Sequence, residues 1–412
     1  MECAISMIIF SFYDFPKSFK DEYRFCGEKK AIMNLSIALA KCTQTYYVSL
    51  GNSCQFELCA VDNLNIVKLP RKRPIGLLDP KVLRLLESIK HSPVITNCSG
   101  VLSHIYIRRF LCPSRVIYVS YGLLNEYAVK DVVSSKNKIL VLAKGHLQSR
   151  LTLRLNDVVV SLTSDESDKL RKYVSPNRIA LIHHGVDVDR YKPRNEHSYE
   201  QRLNISRKYG IDTNRFTVLA TGRISYENNF HGAIKAFARL AKEHKEAVQL
   251  VIAGTTWDFG SGTGIEPEYY ASYIRSLASK YGIPNSVRIV KNIPEYELPL
   301  IYCLSDVFIQ FTDGYSPLPN VILEAAASGL PLVLTYHPAR EHILQDGRNG
   351  FFISREGPRK NPDKVAGILD YMKDIEKERR SMGIKSRKMV EEHFDITRIS
   401  KKYNDTLGRF GS

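Results

Sequence analysis

The sequence predicts an α/β protein built from two doubly wound, parallel-sheet domains, and three observations lead there. A chain of 412 residues with 44% hydrophobic content is too long for one core. Short β-branched runs alternate with helix-period runs along both halves, as expected of repeated strand–helix units and a sheet covered on both faces. The stretch YKPRNEHSYEQRLN at 191–204 is charged and carries Pro193 just after the last first-half strand, which marks a seam. The expected division puts one domain at 1–192 and starts the second at 193.

In the first half AISMIIFSF, TYYVSL, SPVITN, RVIYVSYG, VVVSLT and RIALIHH read as strands. A helix is expected at about 28–41, where Ala31, Ile32, Leu35 and Leu39 recur at helical spacing. The second half is more regular. VLATGRI (218–224) precedes a helix at about 229–243, QLVIAG (249–254) one at about 266–281, and VRIVKNI (287–293) one at about 295–304. DVFIQFT (306–312) leads into DGYSPLPNVILEAAASGLP, a constrained loop and a small-residue helix, and LPLVLTY (330–336) follows.

Composition narrows the class. The first fifteen residues lack a basic start and a small-residue cleavage site, and no apolar run reaches the roughly 18 residues a membrane span needs. The protein is expected to be cytoplasmic and not integral to a membrane. Eight cysteines without a CxxC pair or metal-ligand spacing point to reduced, mostly buried thiols. The formal charge of +16 is gathered in KLPRKRP (68–74), RRFLCPSR (108–115) and KERRSMGIKSRK (377–388). Such runs suit an anionic membrane surface or nucleic acid, or simply form a solvated face. No nucleic-acid-binding module accompanies them, and aromatic residues do not interleave with them, which disfavours nucleic acid. A helix beginning near Asp79 and Pro80, with Val82, Leu85, Leu86 and Ile89 on one face, could serve the membrane or the core.

Sheets of this kind bind ligands at the carboxyl ends of their strands, so four loops carry the functional reading. Gly27, before the first helix, lets backbone amides approach a phosphate, although from this loop alone a tight strand-to-helix connection is the better reading. Arg223, directly after a strand, has the fork geometry to hold an anion. In HHGVDVDRYKP (183–193), His183 and His184 suggest a metal, but adjacent residues diverge, and Asp187 bonding its own backbone makes a hinge the better reading. In the fourth loop Pro317 and Pro319 fix the approach to a helix whose first amides, on Asn320, Val321 and Ile322, are expected to be free at its positive end. Glu324 stands one turn deeper, where a carboxylate could accept ribose hydroxyls; an ordinary core helix is the alternative.

The combination resembles the family 4 glycosyltransferases (glycosyl transferases group 1). HHGVD, the Gly-Arg pair after a second-domain strand, VIAG, ELPLIYCLSD, LEAAASGLP and DGRNGFFI occur in the family's order, and the likeness covers most of the chain. It implies the GT-B fold, two Rossmann-like domains facing a cleft, with the second domain ending near 395 and 396–412 returning to the first as a closing helix. It implies retaining transfer of a sugar from a nucleotide diphosphate sugar, such as a UDP- or GDP-sugar, without a metal or other cofactor. Arg223 matches the arginine that binds the diphosphate, Glu324 the glutamate that holds the ribose, and Gly27 the glycine near the phosphates. The acceptor, a glycan, lipid or small molecule, would enter from the first domain.

Three positions depart from the family pattern. Counting back eight residues from Glu324 gives Ser316 where the family has a glutamate, and Asp313, followed by Gly314 and Tyr315, is the acidic alternative. Asn228 stands where the family carries a lysine, with Lys291 as a candidate to supply the missing charge. Tyr121 in YVSYG replaces an acceptor-side histidine. The leading reading is a glycosyltransferase. Its alternatives are a catalytically weakened GT-B scaffold and a transferase acting on nucleic acid.

Overall fold

The computed structural model describes residues 6–11, 27–51, 57–70, 80–98, 101–121, 147–256, 265–312 and 318–409. The chain forms two compact units. The first contains Gly27–Gly185 with the strand before it and the segment from Ile396 onward, and the second contains Val186–Asp395. The passage between units thus falls ahead of the expected seam at 192/193, because Val186 already pairs with the backbone of Phe394 and Asp395 and the Tyr191 ring is buried in the second unit's core.

The first unit carries strands β1 (Met7–Ser11), β2 (Thr45–Gly51), β3 (Glu57–Val61), β4 (Leu64–Pro70), β5 (Val94–Thr96), β6 (Val116–Ser120), β7 (Val158–Ser161) and β8 (Ile179–Leu181). They form one sheet in the order β3-β4-β2-β1-β5-β6-β7-β8, parallel except for β3 against β4. That antiparallel edge was not expected, although ELCAVDNLNIVKLP holds two β-prone runs around an Asp-Asn turn, with Asp62 in the left-handed region at φ 50°. The helix Gly27–Ala40 buries Ala31, Ile32, Leu35 and Leu39 as its spacing predicts. The helix Ile396–Arg409 belongs to this unit, packs on Gly27–Ala40, and buries Ile396, Ile399 and Tyr403 at helical intervals. The amphipathic helix Pro80–Ser88 is spent on the core, where Leu86 is buried together with Ile89 just beyond the helix.

The second unit has six parallel strands, β9 (Phe216–Arg223), β10 (Val248–Thr255), β11 (Val287–Lys291), β12 (Val307–Gln310), β13 (Leu332–Thr335) and β14 (Gly350–Ile353), ordered β11-β10-β9-β12-β13-β14. The chain reverses direction across the sheet between β11 and β12, so the carboxyl ends of β9 and β12 stand side by side at the switch point, where ligands of such sheets bind. β9 and β10 carry near-continuous apolar runs, as a sheet buried on both faces requires. β14 was missed because GFFI has only four residues and follows a turn-rich stretch.

Much of the basic character proves structural. The run at 377–388 lies in the helix Glu376–His393, where Arg380 pairs with Glu376 and Arg387 with Glu391. Arg387 Nη1 also donates to the carbonyls of Val188, Tyr191 and Ala327 at 3.0, 2.6 and 2.7 Å, tying the loop after Gly185 to the end of the helix Asn320–Ala327. In the run at 108–115, Arg108 is held by Asp157 at 2.8 Å and Arg115 donates to the Leu407 carbonyl at 2.6 Å. Residues 71–74 of the first run lie outside the described residues. Cys42, Cys59, Cys98, Cys112 and Cys303 are free thiols, but the expectation of mostly buried ones is corrected: Cys98 and Cys303 are buried, Cys112 is half-buried, and Cys42 and Cys59 are exposed.

Candidate functional site

The candidate donor site lies in the second unit at the end of β9. Gly222, at φ 145°, and the turn that follows fix the backbone of Arg223. The Arg223 carbonyl accepts from the Ser225 amide at 2.8 Å and from Asn228 Nδ2 at 2.7 Å, while the Ile224 amide donates to Thr255 O at 2.9 Å. The half-buried guanidinium of Arg223 has no hydrogen bond or ion pair among the described residues. A cation on a pinned backbone, with its donors uncommitted, is pre-organised for an anionic ligand.

Asn228, expected among the donor-binding residues at the family's lysine position, is engaged within its own loop. Its amide donors turn onto its own loop, to Arg223 O and, at 3.5 Å, to Ser225 Oγ, so it closes the turn that presents Arg223. Lys291, the candidate for the missing charge, has its ammonium paired with the exposed Glu268 at 2.7 Å.

The helix Asn320–Ala327 follows β12 and buries Glu324 to 2% exposure. Glu324 Oε2 accepts from the hydroxyl of Tyr302 at 2.9 Å, and that hydroxyl also lies 2.8 Å from Thr221 Oγ1 on β9. The ordinary core-helix alternative therefore gives way to a glutamate in a buried polar network. Of the three amides at the helix start, that of Ile322 is already spent, donating to Pro319 O at 3.0 Å because the first turn is tight; this corrects the expectation of a free group. Asn320 and Val321 stand half-buried at the same helix start. Asp313, Gly314, Tyr315 and Ser316 lie outside the described residues.

A second buried group was not read from the sequence. Arg190 donates to Glu295 O at 2.6 Å and pairs with Glu295 Oε1 at 3.2 Å, and Tyr191 donates to the same carboxylate at 3.3 Å. Burial, and then the charges of Glu295 and Glu324, push the Tyr191 phenol well above its ordinary range. No periodicity marks these residues. Nothing in DVDRYKP or NIPEYELP singles them out, and the contact joins segments about a hundred residues apart.

In the first unit, Gly27 opens its helix as expected. Tyr121 follows β6 and its ring packs on His184 with centroids 5.4 Å apart. His183 Nδ1 sits 2.8 Å from Leu162 O, so the two histidines diverge as the hinge reading requires. Burial, reinforced by His183, holds the His184 imidazole down to about 4. Asp187 Oδ1 accepts from the amides of Asp189 and Arg190 at 3.0 and 3.1 Å, the expected turn.

His231, eight positions after Arg223, stacks on Tyr226 with centroids 4.6 Å apart and lies 2.8 Å from the Tyr270 hydroxyl. Burial, with repulsion from Arg359 second, holds its pKa down to about 4. The unfolded chain, with a histidine near 6.5, then binds a proton that the folded state refuses between those values. Stability is present above about pH 6.5 and drains away as pH falls toward 4. Between pH 6.5 and 5 the loss from this group should be about 1.5 kcal/mol. Denaturant titrations at both pH values should show it in the wild type and show a flatter pH dependence in His231→Gln. Equal slopes would remove His231 as the source.

With that geometry in view, comparisons with known proteins bear on identity. Residues 201–389 match the family described as "Glycosyl transferases group 1". That match lies within the second unit. Relatives include spore coat protein SA of Bacillus subtilis, 25% identical over 226 residues, 55% of this chain and 57% of that protein. The alpha-monoglucosyldiacylglycerol synthase of Streptococcus pneumoniae is 27% identical over 296 residues, 72% of this chain and 57% of that protein. The chain thus spans little more than half the length of either relative. Among solved structures, Anabaena Alr3699/HepE in complex with UDP-glucose aligns with a TM-score of 0.70 at 14% identity, covering 98% of this chain and 99% of that one. The fold, two Rossmann-like units of the GT-B type, is therefore shared along the described chain.

Proposed function

We propose that the protein is a retaining glycosyltransferase that moves a sugar from a nucleotide diphosphate sugar to a glycan, lipid or small-molecule acceptor. The observation that carries this reading is Arg223, held by its backbone at the end of β9 with its guanidinium uncommitted. As the glycosidic bond breaks, charge builds on the departing diphosphate, and a pre-placed guanidinium stabilises that charge more than it stabilises the bound donor. The family's lysine is absent at Asn228, so the charge falls to Arg223 and to amides at the start of the helix Asn320–Ala327. Glu324 supplies acceptors for the ribose diol. No metal is assigned a part, since these groups carry the charge themselves. The solved relative with UDP-glucose supports a uridine donor. A thermal-shift screen against UDP, GDP, ADP and their sugars tests the reading: one of them, at 100 times its dissociation constant, should stabilise the protein by about 2.7 kcal/mol. No shift with any would count against it.

The sugar's own hydroxyls are assigned to Asp313 rather than Ser316, because a carboxylate offers paired charged acceptors that a serine lacks. Asp313→Asn should lower turnover more than Ser316→Ala does. The reverse ranking would move the role to Ser316.

A membrane-borne acceptor is favoured over nucleic acid by the first unit's surface. Leu102, Ile105 and Phe110 are exposed in the turns Val101–Leu111, Leu102 to 81%, beside the exposed Arg109. The relative named for a diacylglycerol product fits such an acceptor. No helix of the described residues is long and apolar enough to cross a membrane, so contact would be peripheral. Flotation should show binding to anionic but not neutral vesicles, weakened by salt and by Leu102→Ser with Phe110→Ser. Retention of a single-stranded oligonucleotide without vesicle binding would instead favour a nucleic-acid acceptor.

A further inference from the structure

We propose that Tyr302 is a positioning residue that, anchored by Thr221, sets the orientation of Glu324 and thereby the preference for a ribose over a deoxyribose nucleotide. This rests on the reading that Glu324 holds the ribose diol. Tyr302 lies on the short helix Leu298–Cys303, fully buried, and its ring meets Tyr191 and Phe308 at centroid distances of 5.7 and 6.1 Å. Packing alone would be served by phenylalanine. The hydroxyl, however, stands 2.9 Å from Glu324 Oε2 and 2.8 Å from Thr221 Oγ1. A phenol has one proton, and with that proton given to Glu324 Oε2 its oxygen can only accept from Thr221. Thr221 donates to Tyr302, and Tyr302 donates to Glu324. Burial, and then the Glu324 charge, hold the phenol's pKa well above its ordinary range, so that proton stays in place.

Thr221 is on β9 two residues before Arg223. The chain Thr221–Tyr302–Glu324 therefore ties the ribose carboxylate to the strand that presents the diphosphate arginine, across three separate elements. A buried carboxylate without that donor would rotate toward whatever partner remained. It would then meet the diol in the wrong plane, while the diphosphate contacts stayed as they were.

Calorimetry with UDP, GDP and ADP and their 2′-deoxy forms separates the parts. In the wild type the ribonucleotide should bind more tightly. Glu324→Gln should nearly erase that ratio, Tyr302→Phe should cut it about five- to tenfold with little change for the deoxy form, and Thr221→Val should cut it about two- to threefold. The double variant Tyr302→Phe with Glu324→Gln should fall no further than Glu324→Gln. A ratio that survives Glu324→Gln overturns the ribose reading and the positioning role with it. A ratio erased by Glu324→Gln but intact in Tyr302→Phe overturns the positioning role alone. Should Tyr302→Phe fail to fold, Thr221→Val decides, because it keeps the ring: an unchanged ratio there sinks the proposal.

Discussion

Replacing Arg223 with alanine should weaken nucleoside diphosphate binding and lower donor turnover by about ten- to over a hundred-fold, the range of a charge-assisted hydrogen bond worth about 1.5–3 kcal/mol. The fold should survive, because no described contact is made through the guanidinium and the turn is held by backbone bonds and Asn228. Arg223→Lys should recover part of the affinity by restoring charge without the planar fork. Calorimetry beside a melting curve reads both quantities. Unchanged affinity in a folded Arg223→Ala would take this residue out of the site.

The second large effect is expected at Gly254. It faces Gly222 across β9 and β10, and a methyl group added there would lie 1.9 Å from the Gly222 carbonyl oxygen. The obstacle is paired backbone, which cannot move aside as a flexible side chain can. Gly254→Ala must therefore part the ends of the two strands, at a cost of about 3 kcal/mol or more, and shift the turn that carries Arg223. Lower stability together with lost diphosphate binding is expected. Gly367→Ala is the matched control. Gly367 lies in the helix Pro362–Asp374 with nothing within 4 Å of the added methyl, so alanine should be neutral or stabilise by about 0.5–1 kcal/mol. A Gly254→Ala protein as stable as the wild type would mean the strands are not so closely apposed.

These two glycines illustrate what was legible. VIAG announced a strand with a small residue at its end, and the position of Arg223 after a strand followed from the alternation of β-branched and helical runs. Glu324 was legible because one carboxylate in a run of small apolar residues stands out. Its partners were not. Tyr302 and Thr221 are separated from it by 22 residues and by 103, and nothing in LPLIYC or VLATGR distinguishes a hydroxyl aimed at a carboxylate from one that merely packs. Asn228 misled for a related reason. The sequence showed a lost charge, while the fold gave the amide to the turn itself. The basic run at 377–388 left a binding face and a solvated face both open and is largely engaged by helix pairs and carbonyls, since composition reports charge but not where its partners lie.

Whether this site transfers sugar, and does not only bind nucleotide, is tested most directly by following UDP-, GDP- and ADP-sugars with the wild-type protein by NMR. One donor should be consumed, with slow release of its nucleoside diphosphate even to water, and the first sugar formed should keep the donor's anomeric configuration. A diphosphate that binds tightly while no donor is consumed would contradict the assignment and leave a binding scaffold; an inverted product would contradict the retaining mechanism.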